Sequence, residues 1–249
     1  MKDISLEKPA GVLVKTTCVD YPGMLAGSFF LKGCNLRCPY CYNSDLVKEG
    51  SSNQNLSSLN ELFNHLEKRQ GILKGIAISG GEPLLSPYTK IIIKKAKELG
   101  YKIKLDTNGT LPEKLEELLS DKVLIPDFIA LDIKTSLSKY KSLICSGNSI
   151  YCKIDNFFED SIGKSIRLLS SLSSESREFR TVLVPSLIGM DDIKNIASIL
   201  PQNASWQFAQ FKNENCLNPD FNKIIPYSDK EIQELVEYAR SFISGAQLR

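Results

Sequence analysis

Hydrophobic and polar positions alternate along this chain in two repeating patterns, one typical of β-strands and the other of amphipathic helices. Apolar runs rich in β-branched and aromatic residues predict strands at 26–31, 75–79, 101–105, 127–132, 178–184 and 205–211. Between them, apolar residues at helical spacing predict helices at 57–68, 87–99, 112–119, 161–172, 190–200 and 229–243. A shorter strand is predicted at 12–17, after a loose lead-in at 1–10. Six strand–helix units in succession indicate parallel strands with right-handed crossovers.

The repeated units predict an α/β fold, and two architectures are compatible with them, a doubly wound sheet and an incomplete barrel. In a barrel of this kind the functional loops follow the carboxyl ends of the strands. The most distinctive residues of the chain stand in that position, at 33–43, 80–83, 106–109, 132–134 and Pro185. Because no internal repeat or linker divides the sequence, we expect one domain over 1–249, with a core of about 24–245 and an N-terminal extension at 1–23.

Charge and composition exclude several classes of protein. The 249 residues are 42% hydrophobic, and 31 basic against 29 acidic residues give a formal net charge of +2. Bulk electrostatics therefore gives no reason to expect a nucleic-acid or membrane partner. The apolar runs are too short to span a bilayer, and the N-terminus lacks an apolar segment of signal-peptide length. These features predict a cytoplasmic protein.

Three of the seven cysteines are clustered with the spacing C-x3-C-x2-C, at Cys34, Cys38 and Cys41. Thiolates are soft ligands suited to iron–sulfur clusters or zinc, and three of them on one short loop would leave one metal position open. A zinc knuckle with a fourth ligand nearby is the alternative. The single histidine, His65, limits acid–base catalysis, so we expect a cofactor to carry the chemistry. No role is assigned to the remaining cysteines, Cys18, Cys145, Cys152 and Cys216, and an auxiliary cluster at the last three is an alternative to buried thiols.

The loop after the strand at 75–79 contains Gly80, Gly81 and Glu82. Two glycines allow a backbone to approach a ligand closely, and the carboxylate could accept a hydrogen bond from an ammonium group. An ordinary turn at the end of the strand is the alternative interpretation.

Polar residues also end the two following strands. Asp106, Thr107 and Asn108 could bind hydroxyl or charged groups, although Asn108 could equally form an Asx-type turn. Lys134 stands two residues after Asp132, so both would point to the same side of an extended segment. A solvated surface position is the alternative for Lys134.

Together these motifs resemble those of the radical S-adenosylmethionine (SAM) superfamily, and within it the activating enzymes of glycyl-radical enzymes, of the anaerobic ribonucleoside-triphosphate reductase activating type. The resemblance rests on segments that run in family order from residue 19 to about 219: VDYPG, FLKGCNLRCPYCYN, ISGGEPLL, LDTNGT, DFIALDIK, FRTVLVP and QFKNENCLNP. It implies an incomplete (β/α)6 TIM-like barrel, the radical SAM core. It also implies that Cys34, Cys38 and Cys41 hold a [4Fe–4S] cluster whose fourth iron binds SAM.

The resemblance also implies roles for the other loops. Glu82 would contact the SAM ammonium, Lys134 would contact its carboxylate, and a monovalent cation would be bound by Asp106, Thr107 and Asp132. The full set of implied SAM-site residues is Tyr40, Tyr42, Gly80, Gly81, Glu82, Asp106, Thr107, Asn108, Asp132, Lys134 and Asn195. The chain departs from the family pattern at Tyr42, where many relatives have histidine, and at Asn195, the nearest counterpart of a SAM-contacting histidine in pyruvate formate-lyase activating enzymes.

The implied function is that of an activase. Such a protein reductively cleaves SAM and abstracts a hydrogen atom from a glycine of a partner such as anaerobic ribonucleotide reductase, with electrons from a flavodoxin- or ferredoxin-type donor. Two other interpretations stay open at this point: a radical SAM enzyme that modifies a small molecule or a peptide, and a non-catalytic zinc-binding module.

Overall fold

A computed structural model describes residues 5–48, 55–144 and 156–249 of the chain. Its contacts divide the chain into two compact units. The first comprises 1–35, 45–107 and 116–129, and the second comprises 36–44, 108–115 and 130–249. The prediction of one domain over 1–249 stays a prediction. Cys145 and Cys152 lie outside the described residues.

Strands and helices alternate along the described residues. The strands are β1 (Pro9–Thr17), β2 (Ala26–Leu31), β3 (Ser57–Ser58), β4 (Gly75–Gly80), β5 (Lys102–Thr107), β6 (Phe128–Asp132), β7 (Arg177–Leu183), β8 (Trp206–Gln210) and β9 (Ala246–Leu248). The helices are α1 (Ser44–Val47), α2 (Leu59–Lys68), α3 (Thr89–Glu98), α4 (Pro112–Ser120), α5 (Leu137–Ile144), α6 (Phe157–Ser170), α7 (Met190–Ala197) and α8 (Asp229–Arg240).

In the first unit the strand order is β3-β1-β2-β4-β5. β1 is antiparallel to both of its neighbours, whereas β2, β4 and β5 are parallel. The centre of β4 is completely buried at Ile76, Ala77 and Ile78. Such a strand, covered on both faces, is expected in a parallel sheet whose connections are helices.

The second unit contains β6 from Ala130 onward, followed in strand order by β7, β8 and β9, and these last three strands are parallel. The aromatic residues Phe179, Trp206 and Phe208 are completely buried there. The indole N–H of Trp206 donates to the Thr181 hydroxyl at 3.0 Å, so the one polar group of this side chain is satisfied inside the core.

All six strands predicted from residue 26 onward are present, which confirms the predicted α/β class. The predicted helix at 57–68 begins only at Leu59, because Ser58 and Glu61 form a capping box. The lead-in prediction is wrong at Pro9 and Ala10, which belong to β1. Among the strands and α-helices of the described residues, four short ones were not predicted: α1, β3, α5 and β9. No helix in the described part of the chain is long and apolar enough to cross a membrane.

Candidate cofactor site

The first unit contains Cys34 and the glycine pair after β4, and their backbones pack together. Glu82 N–H donates to the Gly33 carbonyl at 2.8 Å, and Gly81 N–H donates to the Leu31 carbonyl at 2.9 Å. A Cβ atom at Gly81 would lie 2.0 Å from the Gly33 carbonyl oxygen and 3.2 Å from Cys34 Cβ. Only glycine fits at position 81, so this residue allows the loop after β4 to pack against the start of the cysteine loop.

Glu82 is completely buried at the end of β4. Its Oε1 accepts from the Leu84 N–H at 3.0 Å and from the Thr107 hydroxyl at 2.9 Å. The Glu82 carbonyl also accepts from the Leu85 N–H at 3.0 Å. This loop is therefore a true turn, as one interpretation expected, and the same turn fixes the buried carboxylate in one orientation.

Asp106 near the end of β5 has both carboxylate oxygens engaged. Oδ2 accepts from the Ser79 hydroxyl at 2.8 Å, and Oδ1 is paired with the ammonium group of Lys104. Lys104 is itself completely buried. Sequence reasoning missed this lysine, although its place between the apolar residues Ile103 and Leu105, two positions before an aspartate, was the signal that could have identified it.

In the second unit, Asn108 forms the Asx-type turn that was one of its two interpretations. Its Oδ1 accepts from the Thr110 N–H at 3.0 Å and from the Thr110 hydroxyl at 2.6 Å. Gly109 follows with φ of +74°, and a Cβ there would lie 2.5 Å from the Leu131 side chain. The turn therefore requires this glycine.

The second half of the cysteine loop, from Cys38 to Tyr42, is held by a segment near the C-terminus. The Asn218 N–H donates to the Pro39 carbonyl at 2.8 Å, and the Leu217 N–H donates to the Cys41 carbonyl at 3.1 Å. Burial raises the pKa of the Cys41 thiol, although a backbone hydrogen bond at Asn43 opposes the rise. A bound metal would have to offset this cost, because the thiolate is the ligand.

Tyr42 is anchored to the same segment. Its ring stacks on Phe211, with centroids 6.5 Å apart and planes inclined by 22°, and its hydroxyl accepts from the Lys212 N–H at 2.7 Å. The ring and the hydroxyl together attach the loop to the segment that follows β8. The place of Tyr42 among the SAM-site residues stays a prediction.

Asp132 lies between two cationic side chains at the end of β6. Its Oδ1 accepts from Arg180 Nε at 2.7 Å and its Oδ2 accepts from Lys134 Nζ at 2.9 Å. Burial would raise the pKa of Asp132, but the charges and hydrogen bonds of Arg180 and Lys134 hold it below its ordinary value. Lys134 is only 19% exposed, which excludes the solvated-surface interpretation. Arg180 was not identified from the sequence.

Tyr40 lies in the same region of the second unit and is 4% exposed. In the part of the chain that the structure describes, its buried hydroxyl has no hydrogen-bond partner. Burial raises the pKa of this phenol well above its ordinary value, and the charge of Lys134 opposes the rise. A buried donor without an acceptor is costly, so this hydroxyl indicates a position for a polar ligand atom.

Asn195 stands on the exposed side of α7, and its carbonyl accepts from the Ser198 hydroxyl at 2.7 Å. On the same helix Asp192 is buried and accepts from the Ser136 hydroxyl at 2.7 Å and from Lys139 Nζ at 2.8 Å. Cys18 is exposed and Cys216 is buried.

The three clustered cysteines are joined in sequence but divided between the units, with Cys34 in the first and Cys38 and Cys41 in the second. Within residues 5–48, 55–144 and 156–249, no three Cys, His, Asp or Glu side chains are grouped closely enough to hold a metal ion. Metal binding commonly supplies the free energy that orders its own ligands. The assignment of these cysteines as cluster ligands stays a prediction.

Comparison with known proteins defines the class. The sequence profile of the Radical SAM superfamily matches residues 28–167. The chain belongs to this superfamily, and its cofactors are a [4Fe–4S] cluster and SAM. The predicted fold class, the α/β radical SAM core, is confirmed.

Two relatives place the chain more narrowly, and one solved structure is similar in fold. A protein of Methanocaldococcus jannaschii, whose name assigns it to the glycyl-radical enzyme activating enzymes, is 31% identical over 95% of this chain and 94% of its own length. A pyruvate formate-lyase-activating enzyme of Clostridium pasteurianum is 31% identical over 73% of this chain and 71% of its own length. The crystal structure of QueE from Escherichia coli is similar in fold, with a TM-score of 0.56 at 12% identity over 96% of this chain and 92% of that one.

Proposed function

We propose that this protein is a radical SAM activase that generates a glycyl radical on a partner enzyme. The observation that carries the proposal is the C-x3-C-x2-C loop in a chain that matches a glycyl-radical enzyme activating enzyme over almost its full length. Anaerobic ribonucleotide reductase is the proposed partner, and a flavodoxin- or ferredoxin-type protein is the proposed electron donor.

The residues present fit the cofactors chemically. Three thiols are the donor set for a cluster with one open iron, and Cys34, Cys38 and Cys41 would hold it. The buried hydroxyl of Tyr40, next to Lys134, fits a polar group of SAM. When bound, the cluster and SAM together supply one-electron cleavage of the sulfonium and abstraction of a hydrogen atom.

The chain's own residues bind and orient SAM. Lys134 and Arg180 share the single carboxylate of Asp132, so this group of three side chains has a formal charge of +1. A net positive charge in a partly buried position attracts the carboxylate of SAM. Tyr40, in the same unit, would add a hydrogen-bond donor for another polar group of this ligand.

Reconstitution tests the proposal. The anaerobic protein, loaded with iron and sulfide, is mixed with SAM, a reductant and an anaerobic ribonucleotide reductase. The expected result is a glycine-centred doublet in the electron paramagnetic resonance spectrum of the partner. A Cys38→Ser variant should give neither SAM cleavage nor the doublet, whereas the matched Cys18→Ser variant, changed at an exposed cysteine outside the loop, should give both.

Each other outcome rejects a definite part of the proposal. SAM cleavage without a doublet on any glycyl-radical enzyme would reject the activase and favour a radical SAM reaction on a small molecule or peptide. One zinc per chain without visible absorbance would reject the cluster and favour the zinc-binding module. Wild-type cleavage by Cys38→Ser would refute the ligand assignment.

A further inference from the structure

The ion pair inside β5 bears on the monovalent cation that the family resemblance implies. Lys104 and Asp106 are two residues apart on one strand, so their side chains point to the same face. Lys104 is completely buried and Asp106 is 8% exposed, and the ammonium group is in contact with Oδ1. A lysine in this position brings a fixed positive charge to the carboxylate.

The implied cation does not fit at Asp106 as this chain has it. A bare Na⁺ or K⁺ needs oxygen ligands whose negative charge is available. Here Oδ1 is paired with the ammonium group and Oδ2 accepts from the Ser79 hydroxyl. A second unit charge a few ångströms from the buried ammonium would be strongly repelled, because the low dielectric of the interior screens it weakly.

The other implied carboxylate ligand is engaged in the same way. In the second unit, both oxygens of Asp132 accept from cationic side chains, Arg180 and Lys134. A cation at this carboxylate would face two fixed positive charges at once. Neither aspartate therefore offers an uncompensated charge.

We propose that this protein needs no monovalent cation for SAM binding, because the Lys104 ammonium group takes the place of that cation at Asp106. Lys104 is a positioning residue: it neutralises and orients the buried carboxylate of Asp106. The inference rests on the proposed SAM site, and it assigns to this chain a built-in cation where the resemblance implies an exchangeable one.

The first test uses the wild-type holoprotein. SAM affinity is measured anaerobically by calorimetry in chloride salts of K⁺, Na⁺ and tetramethylammonium at one ionic strength. The expected dissociation constants agree within about twofold, which is less than 0.5 kcal/mol. A loss of affinity of about tenfold or more in tetramethylammonium would overturn the proposal.

The second test removes the lysine. Lys104→Met keeps an unbranched side chain one atom shorter and leaves the Asp106 carboxylate buried without its cation, which is strongly destabilising. SAM affinity in tetramethylammonium should fall by about tenfold or more, and K⁺ should restore most of it. The matched control is Lys102→Met on the same strand, where the lysine is 61% exposed and pairs with Asp127; it should show no dependence on the cation.

A third measurement does not depend on SAM or on the cluster. The thermal unfolding midpoint of the cluster-free Lys104→Met protein should rise when K⁺ replaces tetramethylammonium, and that of the wild type should not. If Lys104→Met does not fold, the double variant Lys104→Met/Asp106→Asn removes both charges and should fold without a response to K⁺. A K⁺-dependent midpoint in the wild type would overturn the inference even if SAM binding, and with it the proposed function, also failed.

Discussion

The hydroxyl of Tyr40 allows the cost of a preformed ligand site to be measured directly. The side chain is 4% exposed, and within the described residues its hydroxyl has no hydrogen-bond partner. Burying a hydroxyl without a partner costs about 1–3 kcal/mol in proteins. Tyr40→Phe removes that group and keeps the ring, so the cofactor-free protein should become more stable by about 1–2 kcal/mol.

The same substitution at Tyr140 should have the opposite effect. Tyr140 is completely buried, and its hydroxyl accepts from the backbone N–H of Lys134 at 2.8 Å. Tyr140→Phe leaves that N–H without its acceptor, which should destabilise the protein by about 1–3 kcal/mol. The two tyrosines belong to the same unit, so the comparison isolates the presence of a hydrogen-bond partner.

Urea denaturation of the cluster-free proteins measures both changes, and calorimetry of the holoproteins adds the effect on SAM. Tyr40→Phe should raise the denaturation midpoint and weaken SAM binding by about tenfold, the value of one hydrogen bond of about 1.4 kcal/mol. If Tyr40→Phe lowers the midpoint, the hydroxyl is already satisfied in the cofactor-free protein and the reasoning fails. An unchanged SAM affinity would refute its contact with the cofactor.

Three further changes test other parts of the site. Asp132→Asn leaves two cations without their carboxylate and should destabilise the protein by about 2–3 kcal/mol at neutral pH. Because the folded-state pKa of Asp132 is lowered, the wild type should lose this contribution as the pH falls below about 4. An acid titration of stability should therefore show a smaller loss for the variant than for the wild type. Gly81→Ala places a Cβ 2.0 Å from the Gly33 carbonyl oxygen, so it should destabilise the protein and lower its iron content after reconstitution. An iron content equal to that of the wild type would show that the loop can shift without cost. Tyr42→Phe keeps the ring stack but removes the acceptor for the Lys212 N–H. Because that contact is partly exposed, the free energy of unfolding should fall by at most about 1 kcal/mol. A larger fall would contradict the geometry.

The positions of the strands could be predicted from the sequence because the fold repeats one simple pattern. Buried strands such as 75–79 are apolar except at their last residue, Ser79, and the helices after them have a single apolar face. The elements that were not predicted are short, or they form because they pair with a segment that is distant in sequence. β3 has only two residues and exists because it pairs with β1. α5 and β9 are short, and short elements carry little periodicity.

The polar residues of the candidate site were identified from motif and resemblance, but their partners were not. Asp132 could be identified because it ends a strand, whereas Arg180 lies 48 residues away and nothing local marks it as the partner. Lys104 is the clearer case, because lysine is rarely fully buried and sequence reasoning places it at the surface by default. That the Tyr40 hydroxyl lacks a hydrogen-bond partner among the described residues is a property of packing, and no sequence pattern encodes it.

The attachment of the cysteine loop to the end of the chain has a consequence for biosynthesis. The contact between Tyr42 and Lys212 spans 170 residues, and the backbone partners of Pro39 and Cys41 come later still, at Asn218 and Leu217. A chain emerging from the ribosome therefore exposes these thiols long before the segment that holds them has been synthesised. We expect cluster insertion to follow synthesis of residues 212–218, and nascent chains stalled before residue 212 should leave Cys38 and Cys41 open to alkylating reagents that react slowly with chains that contain this segment.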